Sequence, residues 1–516
     1  MAVAPPRAEN ESSLRSPRRG PVFHVLSETL CTLGSEMNPL HLRLSRRQAL
    51  GVAAGGALGV AAVGFGLDEL IGSSPRLAAV SAGGWPSPLN DPRARAAHLL
   101  RRAGFGYTQS DLDSAAALSY DDLVDRLVSQ RPDSLATPAD VTNHNAFTAA
   151  WYTHMATTTS QLPERMTLFW HGVLTSDYRN AARLPFVFQQ NALQRSAGLT
   201  DLRSLLSATT RDPLMMRYLN LDASTATAPN ENYARELMEL FTLGPGNYSE
   251  TDVREAARAL SGLRIQLYDA SGSRIAQPKL DKNNPQAYVD QVNALVRAGA
   301  TYRGTLVARQ HDAGVKTFLG RTGNLGADDV IDTVLAQPAC APFVTRRAMT
   351  FFATPSPSDS DVNAIATQFR DSRYDMRTLM RAIFRSTAFT APANYRSLMR
   401  SPTDYVVAAM RALNQPALAA VAVRSAAGMD QVLYDPPNVA GWPSNSGWVS
   451  SSTLLGRVNF ATAATTRMTA LPDPAAAVRT QLDSVLGSDT SAAIRAAGSD
   501  ADRWFALLAS PEFQLK

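Results

Sequence analysis

Apolar residues recur along this chain at helical spacing far more often than in alternation. Arg93 to Gly104 (RARAAHLLRRAG) gathers Ala96, Ala97, Leu99 and Leu100 on one side and arginines on the other. Asp111 to Ser129 reads as one amphipathic helix with Leu112, Ala115, Ala116, Leu123 and Leu127 inward. Phe147–Thr157 and Pro163–Leu174 form a further pair, followed by Leu202–Ala208 and Asp212–Leu221. Alternation tempts a strand reading only at Arg264–Tyr268 and Thr301–Val307, which flank a polar insert, Asp269–Ala300, read as a lid or a surface excursion. Helices resume at Ala327–Ala336, Ala341–Ala353, Asp359–Asp371, Arg377–Ser386 and Pro402–Leu413, and the chain closes with Ala475–Leu486 and Ala501–Leu508. No period of the length that builds solenoids repeats. The pattern predicts a mainly α protein: residues 83–516 form a single large, irregular multi-helix domain with few or no short strands and an insert near 269–300.

The densest polar pattern lies in Pro229 to Leu263, PNENYARELMELFTLGPGNYSETDVREAARALSGL. Asn230 is placed to cap a helix and Gly244 to end it in a left-handed conformation. Tyr233, Leu237, Leu240 and Phe241 make the core-facing stripe, with Asn232, Glu236 and Glu239 beside it and Glu231 and Arg235 one step further round. Ser249 and Asp252 read as a capping box for a second helix carrying Arg254, Glu255 and Arg258.

Residues 42–67, LRLSRRQALGVAAGGALGVAAVGFGL, pair two arginines with a mildly apolar Gly/Ala run, the form of a twin-arginine export signal. Ala49–Leu67 carries no charge, so a membrane anchor is the competing reading, but its Gly and Ala make it weakly hydrophobic. Val80-Ser81-Ala82 supplies a cleavage pattern. The expected organisation is a disordered extension over 1–36, with translation starting at Met37, and a signal region over 37–82. Export by this route predicts a periplasmic, cell-wall or extracellular protein whose only membrane contact is the signal.

Composition adds little to that picture. Mean hydropathy is −0.15 and the formal charge is +5 over 516 residues, with 50 basic and 45 acidic groups interspersed. No basic stripe with interleaved aromatics is present, which argues against nucleic acid. Of the two cysteines, Cys31 precedes the export segment and Cys340 reads as a small buried hydrophobe. There is no zinc pattern, GxSxG, P-loop, GxGxxG or HExxH.

Three histidines are candidates. His171 ends an apolar helix beside Trp170, His98 sits in AAHLLRRAGFG, and His311 precedes Asp312 in HDAGVKTFLG. Each also has an ordinary structural explanation. Tyr434 to Phe460 displays Trp442 and Trp448 on a Pro- and Gly-rich loop, suited either to covering a cleft or to plugging the domain.

Five stretches in this order resemble the bacterial family known as domain of unknown function 1800. They are HLLRRAGFG, LFWHGVLTS, the 229–263 segment, HDAGVKTFLG and PPNVAGWPSNSGWVSSSTLLGRVNFA, and the resemblance runs from about Asp91 to Phe513. It implies export in many members and frequent genomic pairing with an exported protein like the alkaline phosphatases and sulfatases; it implies no activity. Many relatives read FWHNHF where this chain has FWHGVL, so Val173 stands in place of a second histidine.

Two functions follow. In the first, a His/carboxylate site makes a metal-dependent or acid/base enzyme. Glu236, His171, Arg235 and Glu239 would be catalytic, while Asn232, Arg258, Trp442 and Trp448 would bind substrate. His171, Glu236, His311 and Asp312 would hold a transition metal, since imidazole and carboxylate suit such ions. In the second, the protein is a non-catalytic exported binding or accessory protein working with the phosphatase/sulfatase-like partner, and Asn232, Arg235, Glu236 and Arg258 form a buried polar network. Convergence of His171, Glu236, His311 and Trp442 on one cleft would favour the first.

Overall fold

The computed structural model describes residues 85–516, apart from 183, 467 and 469. The expected extension (1–36) and signal region (37–82) lie outside the described residues. Among the described residues helix accounts for 59% and strand for 6%, a mainly α protein as the periodicity predicts. No helix among the described residues is long and apolar enough to cross a membrane.

Helix α1 (Pro92–Ala103) starts where Asp91 accepts the Ala94 N–H at 2.8 Å. The next predicted helix is in fact two, α2 (Gln109–Ala116) and α3 (Tyr120–Val128). Ser119 divides them. Its hydroxyl accepts the Asp122 N–H at 3.1 Å, and Asp121 and Asp122 occupy the first turn of α3, so capping and the positive helix end outcompete continuation of the apolar stripe.

Helices α4 (His144–Thr157) and α5 (Gln161–Val173) follow, then α6 (Phe186–Ala197), which lacks a clean apolar stripe and is not evident from the sequence. Every residue of α5 except Gly172 is buried. The reason is its place between two apolar cores. Met166, Phe169, Trp170 and Val173 join one core, together with α1–α3, α7 (Leu202–Thr210), α8 (Pro213–Tyr218), α9 (Asn232–Glu236) and α10 (Glu250–Leu260). Leu168 joins the other, with α4 and α6.

A large apolar side chain buried here contributes about 1.5–3 kcal/mol. The polar residues of α5 must therefore be paired, because an unpaired buried charge costs more than that. Glu164 takes both the Nε and Nη2 donors of Arg195, at 2.7 and 2.9 Å, and the indole N–H of Trp151. Burial by itself would raise its pKa, but Arg195 and His154 hold it down to about 2.

After α10 comes a three-stranded antiparallel sheet of order β2-β1-β3, made by β1 (Leu263–Tyr268), β2 (Arg274–Ile275) and β3 (Thr301–Leu306), with Ile265 opposite Gly304. Both predicted strands form. The polar insert between them contains α11 (Pro285–Arg297), whose Tyr288 and Val292 are buried. Asn293 accepts the Val141 N–H at 2.9 Å and Arg297 donates to the Ala139 carbonyl at 2.6 Å, so the insert is a docked excursion. A short hairpin, β4 (Lys316–Phe318) and β5 (Arg321–Gly323), leads to α12 (Ala327–Leu335), α13 (Cys340–Phe352), α14 (Asp359–Asp371) and α15 (Met376–Arg385) in the first core. Cys340 is free and buried in α13. Helices α16 (Pro402–Ala412), α17 (Ala419–Ala427), α18 (Ser451–Thr466), α19 (Pro474–Gln481) and α20 (Asp500–Ala509) complete the second.

Candidate functional site

The C-terminal end of α5 brings His171 to the surface of a cavity of about 360 Å³. Three elements from distant parts of the sequence build the walls: α13 with Arg347 and Phe351, the start of α16 with Asp404, and the loop that carries Trp442 and Trp448. Two local features fix this loop against α5. Thr175 donates its hydroxyl to the Val439 carbonyl at 2.7 Å. Gly441 has φ +88°, and a Cβ there would lie 2.8 Å from the Gly172 carbonyl oxygen, so only glycine permits this approach. Trp442 thereby reaches 4.9 Å from the His171 ring, and Trp448 packs with Met399 and Leu515. Gly172 is a different kind of glycine. A Cβ on it would meet nothing within 4 Å, so its missing side chain leaves room in the cavity.

His171 is enclosed by Tyr434 at 4.3 Å and by Trp151 edge-on at 5.4 Å. Its Nε2 accepts the Tyr434 N–H at 3.3 Å, which leaves the proton on Nδ1, and that atom is buried without a partner. Burial, and then His144, lower the imidazole pKa to about 3, so the ring is neutral at physiological pH.

Asp404 is the carboxylate in the wall, and it is fully engaged. Both terminal nitrogens of Arg165 on α5 donate to it, as does the Lys516 ammonium at 2.6 Å. Lys516 and Arg165 both lie over the Phe351 ring, at 5.2 and 4.4 Å. Burial first, then the guanidiniums of Arg165, Arg102 and Arg400, push the Lys516 ammonium well below its ordinary value. Arg346 pairs with Asp359 on the outer side. Arg347 has no carboxylate: its guanidinium donates to the Leu240 carbonyl, and burial lowers its pKa.

That carbonyl is available because the predicted helix over 230–244 ends in a π-helical turn, Leu237–Thr242. Leu243 and Gly244 both donate to the Met238 carbonyl, leaving the one at Leu240 without a helical partner. The expected helix end at Gly244 and the Ser249–Asp252 capping box are present, but the N-cap position is Glu231 and not Asn230, and it makes no side-chain cap bond. Asn230 accepts the Asn232 N–H, Gly244 has φ +80°, and Ser249 and Asp252 form the capping box.

Of the sequence candidates, the structure brings together His171, Trp442 and Trp448. The others form two separate groups. On α9 and the π turn, Arg235 bridges Glu250 at 2.6 Å and Glu231 at 3.4 Å, Glu239 accepts the Tyr248 hydroxyl at 2.7 Å, and Asn232 is exposed. Glu236 is half-buried, its pKa raised by burial and by Glu239. It does not line the cavity. In the third group Arg258 pairs with Glu255 at 2.9 Å and Asp312 at 2.7 Å, and the His311 ring meets the Ser261 carbonyl at 3.0 Å.

The metal set therefore needs correction. His171, Glu236, His311 and Asp312 do not converge, since Asp312 is held by Arg258 and His171 sits in an aromatic enclosure. Among the described residues no three His, Cys, Asp or Glu side chains are grouped so as to hold an ion. Nor do Asn232, Arg235, Glu236 and Arg258 form one buried network; buried ion pairs are found elsewhere, Glu164 with Arg195, Arg165 with Asp404 and Arg101 with Asp483. Sequence reasoning missed Arg347, Asp404 and Gly172. One signal for Arg347 was present: it lies at helical spacing between Phe343 and Phe351, on an apolar face where an arginine is out of place.

Fold and site thus define a large mainly α protein with an aromatic-walled cavity set between two cores. A family model described as a protein of unknown function, DUF1800, matches residues 98–515, and the chain belongs to that family. No curated protein and no solved structure matches it.

Proposed function

We propose that this protein binds a small organic molecule in the cavity between α5, α13 and the Trp442–Trp448 loop, and that it binds without transforming it. One observation carries this reading: the aromatic residues and His171 converge on a cavity of about 360 Å³ while Glu236 and Glu239 stand outside its wall. The volume lies in the range of small-molecule sites, and the lining combines apolar faces with a few polar groups. Acid/base catalysis is poorly supported. A neutral imidazole with a pKa near 3 is a weak base whose Nε2 already accepts a hydrogen bond, and Asp404 is already engaged by Arg165 and Lys516.

Differential scanning fluorimetry of the 83–516 chain against a small-molecule library tests the proposal, with mass spectrometry of every compound that binds. Hits should raise the melting temperature of the wild type, fail to do so in Trp442→Ala, and be recovered unchanged. Recovery of a converted product would overturn the non-catalytic reading. Stabilisation that ignores Trp442 would place binding elsewhere.

The twin-arginine pattern at residues 42–67 supports export to the periplasm, cell wall or medium. An exported phosphatase/sulfatase-like partner rests on the family resemblance alone, and co-purification from the native host tests it.

A further inference from the structure

We infer that the ligand of this cavity is an organic oxyanion, a carboxylate or a phosphate monoester on a flat apolar body, with its charged group seated on Arg347. This rests on the binding reading above and names the chemistry that such a ligand must have.

The first observation is charge. The basic residues Arg346, Arg347 and Lys516 line the cavity, and Asp404 is the carboxylate residue among them. Asp404 is already shared between Arg165 and Lys516, and Arg346 turns outward to Asp359. Arg347 is the one of these that, among the described residues, has no carboxylate partner: its guanidinium donates to the Leu240 carbonyl at a helix end. Such an end carries only a partial negative charge, about half an elementary charge at most. A half-buried guanidinium with five N–H donors and one carbonyl acceptor has most of its hydrogen-bonding capacity unused. Its planar fork matches a carboxylate or phosphate, which it binds in a bidentate manner.

The second observation is independent of charge. Two more polar atoms of lining residues are buried without a partner, Nδ1 of His171 and Nε1 of Trp442, on rings 4.9 Å apart. Both are donors, the first because Nε2 of His171 is occupied as an acceptor. Two acceptors in the wall are engaged: Gln431 Oε1 takes the Thr403 N–H at 2.8 Å and Ser401 Oγ takes the Asp404 N–H at 3.2 Å. The buried atoms left unpaired in this wall are donors, so the complement is a molecule that brings acceptors. Trp442, Trp448 and Phe351 supply apolar faces for its body, and the open space over Gly172 gives it room.

Matched probes test this inference separately from binding as such. Phenylacetate and indole-3-acetate are compared with their methyl esters, and phenyl phosphate with phenol, by scanning fluorimetry and calorimetry at constant ionic strength. The proteins are the wild-type chain, Arg347→Gln, Arg347→Lys and Trp442→Ala. Glutamine retains a donor for the Leu240 carbonyl, and circular dichroism checks that each variant is folded. At least one acid or phosphate is expected to bind ten-fold or more tightly than its neutral counterpart. Arg347→Gln should lose that ten-fold difference and Arg347→Lys should keep part of it. Whether the carboxylates or the phosphate bind better identifies the oxyanion. Esters or phenol binding as tightly as the anions, in a Trp442-dependent way, would overturn the oxyanion and leave the binding site standing. No Trp442-dependent binding of any probe would count against both.

Discussion

His171 makes the clearest statement at the scale of one side chain. Its folded pKa near 3 lies below the ordinary 6.5, so between these values the unfolded chain holds a proton that the folded chain refuses. Its contribution to stability is therefore complete above pH 6.5 and is lost as pH falls towards 3, with a slope of about 1.4 kcal/mol per pH unit. His98 and His144, also lowered by burial, act in the same direction. Asp212 opposes them, since burial raises its carboxyl to about 7 and its contribution is lost as pH rises towards that value. A single curve for the wild type mixes these effects, but a difference separates them. His171→Phe keeps a ring against Tyr434 and Trp442 and removes the titration. Urea midpoints at pH 7.5, 6.0 and 5.0 should show the wild type losing stability relative to the variant as pH falls. A constant difference would mean that His171 is already charged or hydrated in the fold.

Single elements show how α5 is secured. Arg165 reaches α16 through Asp404, and Glu164 reaches α6 through Arg195, so one helix is tied on both sides by buried charge. Arg165→Met leaves Asp404 with Lys516 alone, and removing one partner of a buried pair costs about 3–5 kcal/mol. Urea denaturation should show a loss of that order, and Arg165→Met with Asp404→Asn should lose less than the two single changes summed. The same element marks the limit of what the sequence discloses. The helix PERMTLFWHGVL is legible from its apolar run, and the loop that displays Trp442 and Trp448 is legible because prolines and glycines exclude a helix around them. Glu236 misleads for a physical reason. A carboxylate beside an apolar stripe looks the same whether the margin of the helix faces a cleft or solvent. The α2–α3 break was readable in Ser119, whose capping role the continuous stripe obscures. Asp404 was not readable as a cavity residue, and Arg347 only as an arginine out of place on an apolar face, because the walls they share with His171 come from segments more than a hundred residues away.

For the whole molecule, export can be tested in the intact precursor. Arg46→Lys with Arg47→Lys removes the arginine pair while keeping the charge, and precursor should then accumulate inside the cell, as judged by fractionation and immunoblotting. Export unaffected by the pair would argue for another route. The position of α5 has a different consequence. Its residues are shared by both cores, and Gly172, the one residue of the helix that is not buried, faces the cavity. A ligand resting there would not tighten a peripheral flap. It would load a helix buried along nearly its whole length, the kind of core segment whose amides are expected to exchange through global unfolding. At a hundred-fold excess over its dissociation constant, a ligand adds about 2.7 kcal/mol to the folded state. Here that increment would appear as slower exchange throughout the central helix, so occupancy of the cavity would be recorded in the lifetime of the entire fold.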